Sequence, residues 1–341
     1  MRFSEVCLES FGYHLPDDAI SSDQIEKQLF PLYQKIGCEQ GQLEKMTGIS
    51  ERKIWPTGTL PSSVATVAGK KALENSSLKP SEIDLIVFTG VCRDSLEPST
   101  ANVIHHNLEL SPHCLTFDIS NACIGFLNGV LVASNMIESG QINSAMIMTG
   151  ENAGPLYEYT IPKLLEENNA NAFRKSLASL TLGSGATAFL LSRKKQFNTK
   201  PLILGGTGMT DSSGHALCKG NGNVNQLQME TDTTGLMKQG LALTASSWEK
   251  FKKEMEWDND TPSHILTHQI SRSHHEKCFS LLNIDPKKGY SFLKNMGNTG
   301  SAGAPLSLAL EAEKNTFKKD EYIALLGIGS GINTMMLGIV W

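Results

Sequence analysis

Short apolar runs alternate along the chain with longer stretches whose apolar side chains recur every three or four positions. That alternation predicts an α/β layered protein. Runs at 85–89, 145–149, 186–192, 264–268, 322–326 and 334–340 predict strands. The longer period predicts helices over 62–75, 124–138, 236–254, 273–282 and 304–314. Pro80-Ser-Glu-Ile-Asp84 predicts a turn with capping character before the first central strand. Segments 157–175 and 205–226 interrupt the alternation. The Gly, Asn and Ser content of the second predicts a long loop.

The pattern occurs twice. Gly183-Ser-Gly-Ala-Thr-Ala-Phe-Leu-Leu191 and Gly329-Ser-Gly-Ile-Asn-Thr-Met-Met-Leu337 are both Gly-Ser-Gly turns running into an apolar strand. Upstream, 84–90 parallels 263–268, and a bend at Cys123 parallels the turn 297–302. Two duplicated halves are expected, 1–193 and 194–341. Neither half would bury its sheet alone, so they should pack on each other about a pseudo-twofold axis.

Composition narrows the function classes. A chain of 341 residues exceeds one small core, and 40% hydrophobic with 19% charged residues is ordinary for a soluble globular protein. The net charge of −5 and the lack of a basic stripe give no reason to expect nucleic acid. No apolar stretch approaches the roughly 18 to 20 residues that span a bilayer. The first ten residues carry Glu5 and Glu9 without a long apolar region, so no signal peptide is expected. Seven cysteines, an odd number with no Cys-x-x-Cys pair, argue for reduced thiols in a cytoplasm.

One cysteine is set apart. In Leu115-Thr-Phe-Asp-Ile-Ser-Asn-Ala-Cys-Ile-Gly-Phe-Leu-Asn-Gly129 an apolar run ends in small residues, then a thiol, then a helical period. This reads as strand, elbow, helix, with Cys123 at the helix N-terminus. Free N–H groups and the helix dipole are expected to favour its thiolate there. A pseudo-twofold axis would bring Cys123 toward His268, at the end of an apolar strand, and Asn298, in the Gly-Asn-Thr-Gly turn. Each residue alone has a plainer reading: a buried structural cysteine, a satisfied core histidine, an ordinary turn asparagine. Together they suit a thiolate that takes an acyl group from a thioester. His268 Nε2 and the Asn298 amide would donate to the carbonyl oxygen of a second thioester as it becomes an enolate. Backbone N–H groups of Cys123 and Ser330 would form a separate oxyanion hole for acyl transfer. The pairs His105-His106 and His274-His275 lack a cysteine or carboxylate at ligand spacing and read as surface histidines, not metal ligands.

These features resemble the thiolase superfamily of condensing enzymes, in particular its β-ketoacyl-ACP synthase III branch. The resemblance covers nearly the whole chain through Thr47-Gly-Ile-Ser-Glu-Arg52, Phe117-Asp-Ile-Ser-Asn-Ala-Cys-Ile-Gly-Phe126, His268, Gly297-Asn-Thr-Gly300 and the Gly329-Ser-Gly331 strand. It implies a five-layered α-β-α-β-α sandwich, duplicated within the chain and assembled as a homodimer. It also implies that Cys123 is acylated and that His268 with Asn298 forms the second oxyanion hole. Two positions depart from the fatty-acid priming enzyme. Glu97 stands before Pro98-Ser-Thr100 where an apolar aromatic is usual, and Gln42 stands where a tryptophan stacks on the coenzyme A adenine. With Pro31-Leu-Tyr33, Met46-Thr-Gly48 and Arg93-Asp-Ser-Leu-Glu-Pro98, these departures resemble the OleA-type enzymes. Those enzymes condense two fatty acyl-CoA molecules head to head, without decarboxylation, to a β-keto acid. Removing an α-proton needs a base, and by analogy Glu97 would supply it across the dimer interface.

The leading expectation is therefore a cytoplasmic acyltransferase performing a Claisen condensation through acyl-Cys123. Coenzyme A or acyl carrier protein would carry the substrate, and no metal, redox nucleotide or prosthetic group is expected. Gly205-Gly-Thr-Gly208 lacks the strand-turn-helix context of a dinucleotide site. The alternatives are a decarboxylating synthase III that uses malonyl-ACP, an acyl-thioester hydrolase, and a non-catalytic subunit of a condensing complex.

Overall fold

The computed structural model describes residues 1–195, 200–223 and 226–341. In chain order its strands begin with β1 (Val6–His14), β2 (Ala19–Ser21), β3 (Glu51–Lys53), β4 (Leu85–Phe88), β5 (Leu115–Asp118), β6 (Ser144–Glu151) and β7 (Gly185–Arg193). They continue with β8 (Leu202–Thr210), β9 (Cys218–Asn223), β10 (Gln226–Thr231), β11 (His264–Thr267), β12 (Tyr322–Gly329) and β13 (Asn333–Val340). Nine of these form one sheet in the order β11-β12-β13-β8-β1-β7-β6-β4-β5. Its two arms repeat one topology. β4 runs parallel to β6, which is antiparallel to β7, which is antiparallel to β1. Likewise β11 runs parallel to β12, and β12–β13 and β13–β8 are antiparallel. A single pairing, Cys7 with Leu202, joins the arms between β1 and β8.

Strands buried on both faces read as unbroken apolar runs, and side-chain alternation then divides them between two cores. Leu85, Val87, Ala145 and Ile147 face inward, together with Ile323, Leu325, Leu337 and Ile339 of the second arm. The helix Gly125–Glu138 fills this middle core with Phe126, Leu127, Val130 and Ile137, and the helix Gly303–Glu313 adds Leu308. Ile86, Phe88, Met146 and Met148 face outward onto the helix Pro61–Glu74. Ala324, Leu326 and Met336 face outward onto the helices Thr233–Met255 and Arg272–Leu281. Helix, sheet, helix, sheet, helix is the five-layered thiolase sandwich. Among the described residues no helix is long and apolar enough to cross a membrane.

One sequence expectation is corrected. Segment 205–226 is not a long loop: most of β8 and all of β9 fall in it, while Val224 and Asn225 lie outside the described residues. The glycines that suggested a loop permit close approach instead. A Cβ on Gly205, at φ +151°, would sit 2.2 Å from the Met1 carbonyl oxygen. The pattern also missed β1, a strand at the middle of the sheet. Its run is broken by Glu9, which is buried and held by the hydroxyls of Ser77 and Ser192 and by Lys200 at 3.7 Å.

Candidate active site

β5 ends at Asp118, and the chain turns sharply before the helix Gly125–Glu138 begins. Ala122 takes φ +47°, a left-handed conformation unusual for a residue with a Cβ, and Cys123 follows it. Gly329 backs directly onto this elbow, since a Cβ there would lie 3.3 Å from both Ala122 Cβ and the Cys123 nitrogen. Asn333 links the two turns, donating from Nδ2 to Asn121 Oδ1 at 3.2 Å and to the Ser330 carbonyl at 3.1 Å. The Gly329-Ser-Gly331 turn of the second arm is thus fixed against the thiol-bearing elbow of the first.

Cys123 keeps part of its surface accessible yet is densely surrounded by protein atoms. That surrounding pushes its pKa up to about 12, with the charge of Glu151 and the Cys218 thiol adding to the rise. A hydrogen bond from its own N–H works the other way but is smaller. Burial thus works against the thiolate that the helix N-terminus is expected to favour.

Asn298 is held by a buried strap. Its N–H donates to the Thr181 carbonyl at 2.9 Å, and its own carbonyl accepts from Gly183 N–H at 2.8 Å. A Cβ on Gly183 would meet the Met296 carbonyl at 1.9 Å, so only glycine fits there. Arg52, the last residue of the Thr47–Arg52 motif, secures the strap from below. It is fully buried and donates from Nε to the Leu180 carbonyl at 3.0 Å and from Nη1 to Ser22 Oγ at 2.8 Å. The Asn298 side chain accepts from Gly300 N–H through Oδ1 at 3.0 Å. Its amide NH₂ has no acceptor among the described residues and is left as a donor.

His268 follows β11 and is buried. Desolvation first and the neighbouring His274 second lower its pKa to about 3, against the opposing hydrogen bond of the Gly300 backbone. Its Nδ1 is buried and meets no partner in ordinary hydrogen-bond geometry among the described residues. The imidazole is neutral at physiological pH. His268 and Asn298 thus converge on the Gly300 region.

Two residues were misjudged or missed in the sequence. His274 is not a surface histidine: the Arg272–Leu281 helix turns it inward, where burial lowers its pKa to about 4. Its helix neighbours Arg272, Glu276 and Lys277 are exposed, which is why the pair reads as surface. Glu151 was not singled out. It ends β6 as His268 follows β11, a charged residue closing a buried apolar strand, and that position was its only sequence signal.

Both buried imidazoles make an acid-stability prediction. Their folded pKa values lie below the unfolded value near 6.5, so their contribution is complete above that pH. It is lost as pH falls, at about 1.4 kcal/mol per pH unit per group. His274→Gln should flatten the loss of stability between pH 6.5 and 4 in urea unfolding. A variant whose curve runs parallel to wild type contradicts the assignment.

Glu97 is not in this cluster. It is exposed on the loop between β4 and the helix Thr100–Asn107. Gln42 begins the helix Gln42–Thr47 and is half-buried, and Ser330 is half-buried beside the elbow. All seven cysteines are unpaired, and no metal-binding cluster of His, Cys, Asp and Glu exists among the described residues.

Models of 3-oxoacyl-acyl-carrier-protein synthase III match residues 117–205 and, for its C-terminal part, 253–341. The acyl-CoA:acyl-CoA alkyltransferase of Shewanella oneidensis is 36% identical over 349 residues, covering 100% of both chains. The β-ketoacyl-acyl-carrier-protein synthase III of Clostridium tetani is 27% identical over 360 residues, with the same coverage. The structure superposes with a TM-score of 0.95 on a cysteine-to-serine variant of Xanthomonas campestris OleA with bound lauric acid and lauroyl-CoA. That chain is 34% identical, with 99% of this chain and 100% of that one covered.

Proposed function

The chain belongs to the 3-oxoacyl-acyl-carrier-protein synthase III family of condensing enzymes, and from that premise we propose that it joins two fatty acyl-CoA molecules by a non-decarboxylative Claisen condensation. The observation that carries this reading is the full-length likeness to an acyl-CoA:acyl-CoA alkyltransferase, nearer than that to a decarboxylating synthase.

In the first half-reaction the Cys123 sulfur attacks the carbonyl of one acyl-CoA. A carbon–sulfur bond forms to Cys123, the bond to coenzyme A breaks, and the thiol proton leaves on the departing sulfur. Backbone N–H groups of Cys123 and Ser330 steady the tetrahedral oxyanion. In the second, Glu97 takes an α-proton from another acyl-CoA. The enolate oxygen is held by His268 and by the free Asn298 amide, and a neutral imidazole suits this work because it donates without releasing its proton. The α-carbon then bonds to the acyl-Cys123 carbonyl and expels the Cys123 thiolate, which recovers the proton from Glu97. Water hydrolyses the remaining thioester to the β-keto acid and free coenzyme A.

Glu97 serves this chemistry from a second copy of the chain. β5 is the outer strand of the sheet, and Leu115 on it is exposed, as are Val91 and Leu96 beside Glu97. A bare edge with apolar neighbours is what a symmetric partner covers. We place the homodimer in the cytoplasm, where acyl-CoA is available. Light scattering should report a dimer.

Glu97→Gln tests the base. The variant should accumulate acyl-Cys123 from a long-chain acyl-CoA yet form β-keto acid about a hundredfold to ten-thousandfold more slowly. Condensation at the wild-type rate removes Glu97 from the mechanism. A wild-type enzyme that stays idle until malonyl-ACP is added supports the decarboxylating alternative instead.

A further inference from the structure

Glu151 closes β6 with its carboxylate buried and with no cation paired to it among the described residues. A buried carboxylate is costly unless donors surround it. Here four donors converge from both arms of the fold. Oε1 accepts from Val91 N–H at 3.0 Å, from Ser301 N–H at 3.2 Å and from the Ser301 hydroxyl at 2.5 Å. Oε2 accepts from Cys92 N–H at 3.3 Å. Val91 and Cys92 open the loop that leads to Glu97. Ser301 belongs to the turn of Asn298, whose Oδ1 is held by the intervening Gly300. That glycine has φ +56°, and a Cβ on it would lie 3.2 Å from the Glu151 carboxyl carbon, so the turn rests directly on the carboxylate. The same negative charge acts on Cys123.

We propose that Glu151 is a positioning residue for the condensation step. Its carboxylate ties the Asn298 turn, near Cys123, to the root of the loop that carries Glu97 to the partner's site, so that each copy holds its own enolate donor in place and presents its base at a fixed position to the other. This rests on the reaction proposed above. Acylation of Cys123 needs only the thiol and its oxyanion donors, whereas condensation needs all three elements in register. Glutamine cannot replace the clamp, because one of its two polar ends donates where only N–H and O–H donors point.

The test compares full-length wild type, Glu151→Gln and Ser301→Ala. Three quantities are read: acyl-Cys123 by intact mass after myristoyl-CoA, kcat and KM for β-keto acid, and the rate of Cys123 alkylation by iodoacetamide between pH 7 and 10. Glu151→Gln should acylate like wild type but lose about tenfold to a hundredfold in kcat, with KM changed far less. Without the charge, its thiol should alkylate about threefold to tenfold faster at each pH, a shift that a purely structural role would not produce. Ser301→Ala keeps the charge, so kcat should fall while the alkylation rate stays at the wild-type value.

Wild-type kcat in both variants overturns the proposal, and so does a loss of acylation equal to the loss of condensation. If Glu151→Gln does not fold, the kcat of Ser301→Ala decides. A wild-type enzyme that forms no β-keto acid defeats the proposed reaction instead, and the alkylation rates still report whether Glu151 governs the thiol.

Discussion

Cys123→Ala is expected to form no acyl adduct and no β-keto acid, a fall of at least about ten-thousandfold in kcat/KM. The Cys218 thiol acts on Cys123 electrostatically, but Cys218 begins β9 and is not part of the elbow whose N–H groups would hold the oxyanion. Alanine removes the sulfur without disturbing the backbone, because Ala122 already carries the left-handed turn and Gly329 packs against main chain and the Ala122 methyl. The folded variant should keep its thermal midpoint while losing activity. Residual condensation within a hundredfold of wild type would mean that the acyl group is held elsewhere.

Asn298→Asp is the second large effect, and it should separate the half-reactions. The aspartate can still accept from Gly300 N–H, so the turn survives. It replaces the free NH₂ donor with a negative oxygen facing the place where enolate charge develops. Losing one oxyanion donor typically costs a hundredfold to a thousandfold, and like-charge repulsion adds to that. Acyl-Cys123 should form within a few-fold of the wild-type rate while β-keto acid falls by about a thousandfold or more. Asn298→Ala, which removes the donor without adding charge, should lose less. Equal losses in both half-reactions would place Asn298 in acylation and contradict its assignment.

The elements that were legible from sequence are those whose environment is uniform along their length. β4, β6, β7, β11, β12 and β13 are buried on both faces, so their apolar runs are unbroken, and the helix Gly125–Glu138 packs between the two arms of the sheet and is rich in buried apolar residues. β1 and β8 escaped because a buried glutamate and close-approach glycines contradict strand composition, and their justification lies in residues far along the chain. Cys123, His268 and Asn298 stood out as candidates because each sits at a strand end or turn that the local sequence signals. Their protonation was not legible. The helix N-terminus is a local feature of Cys123, but the burial that opposes it comes from the whole fold. Glu151 was invisible for the same reason: its donors lie 60 and 150 positions away.

The most direct measurement gives the purified enzyme a single long-chain acyl-CoA labelled with ¹³C at the carbonyl carbon, with no malonyl donor present. Mass spectrometry of the product should reveal a β-keto acid built from two chains and carrying both labelled carbons, one equivalent of coenzyme A released with the acyl-enzyme and a second with the product. Labelled free fatty acid as the sole product, or a single labelled carbon appearing only after malonyl-ACP is supplied, would contradict it.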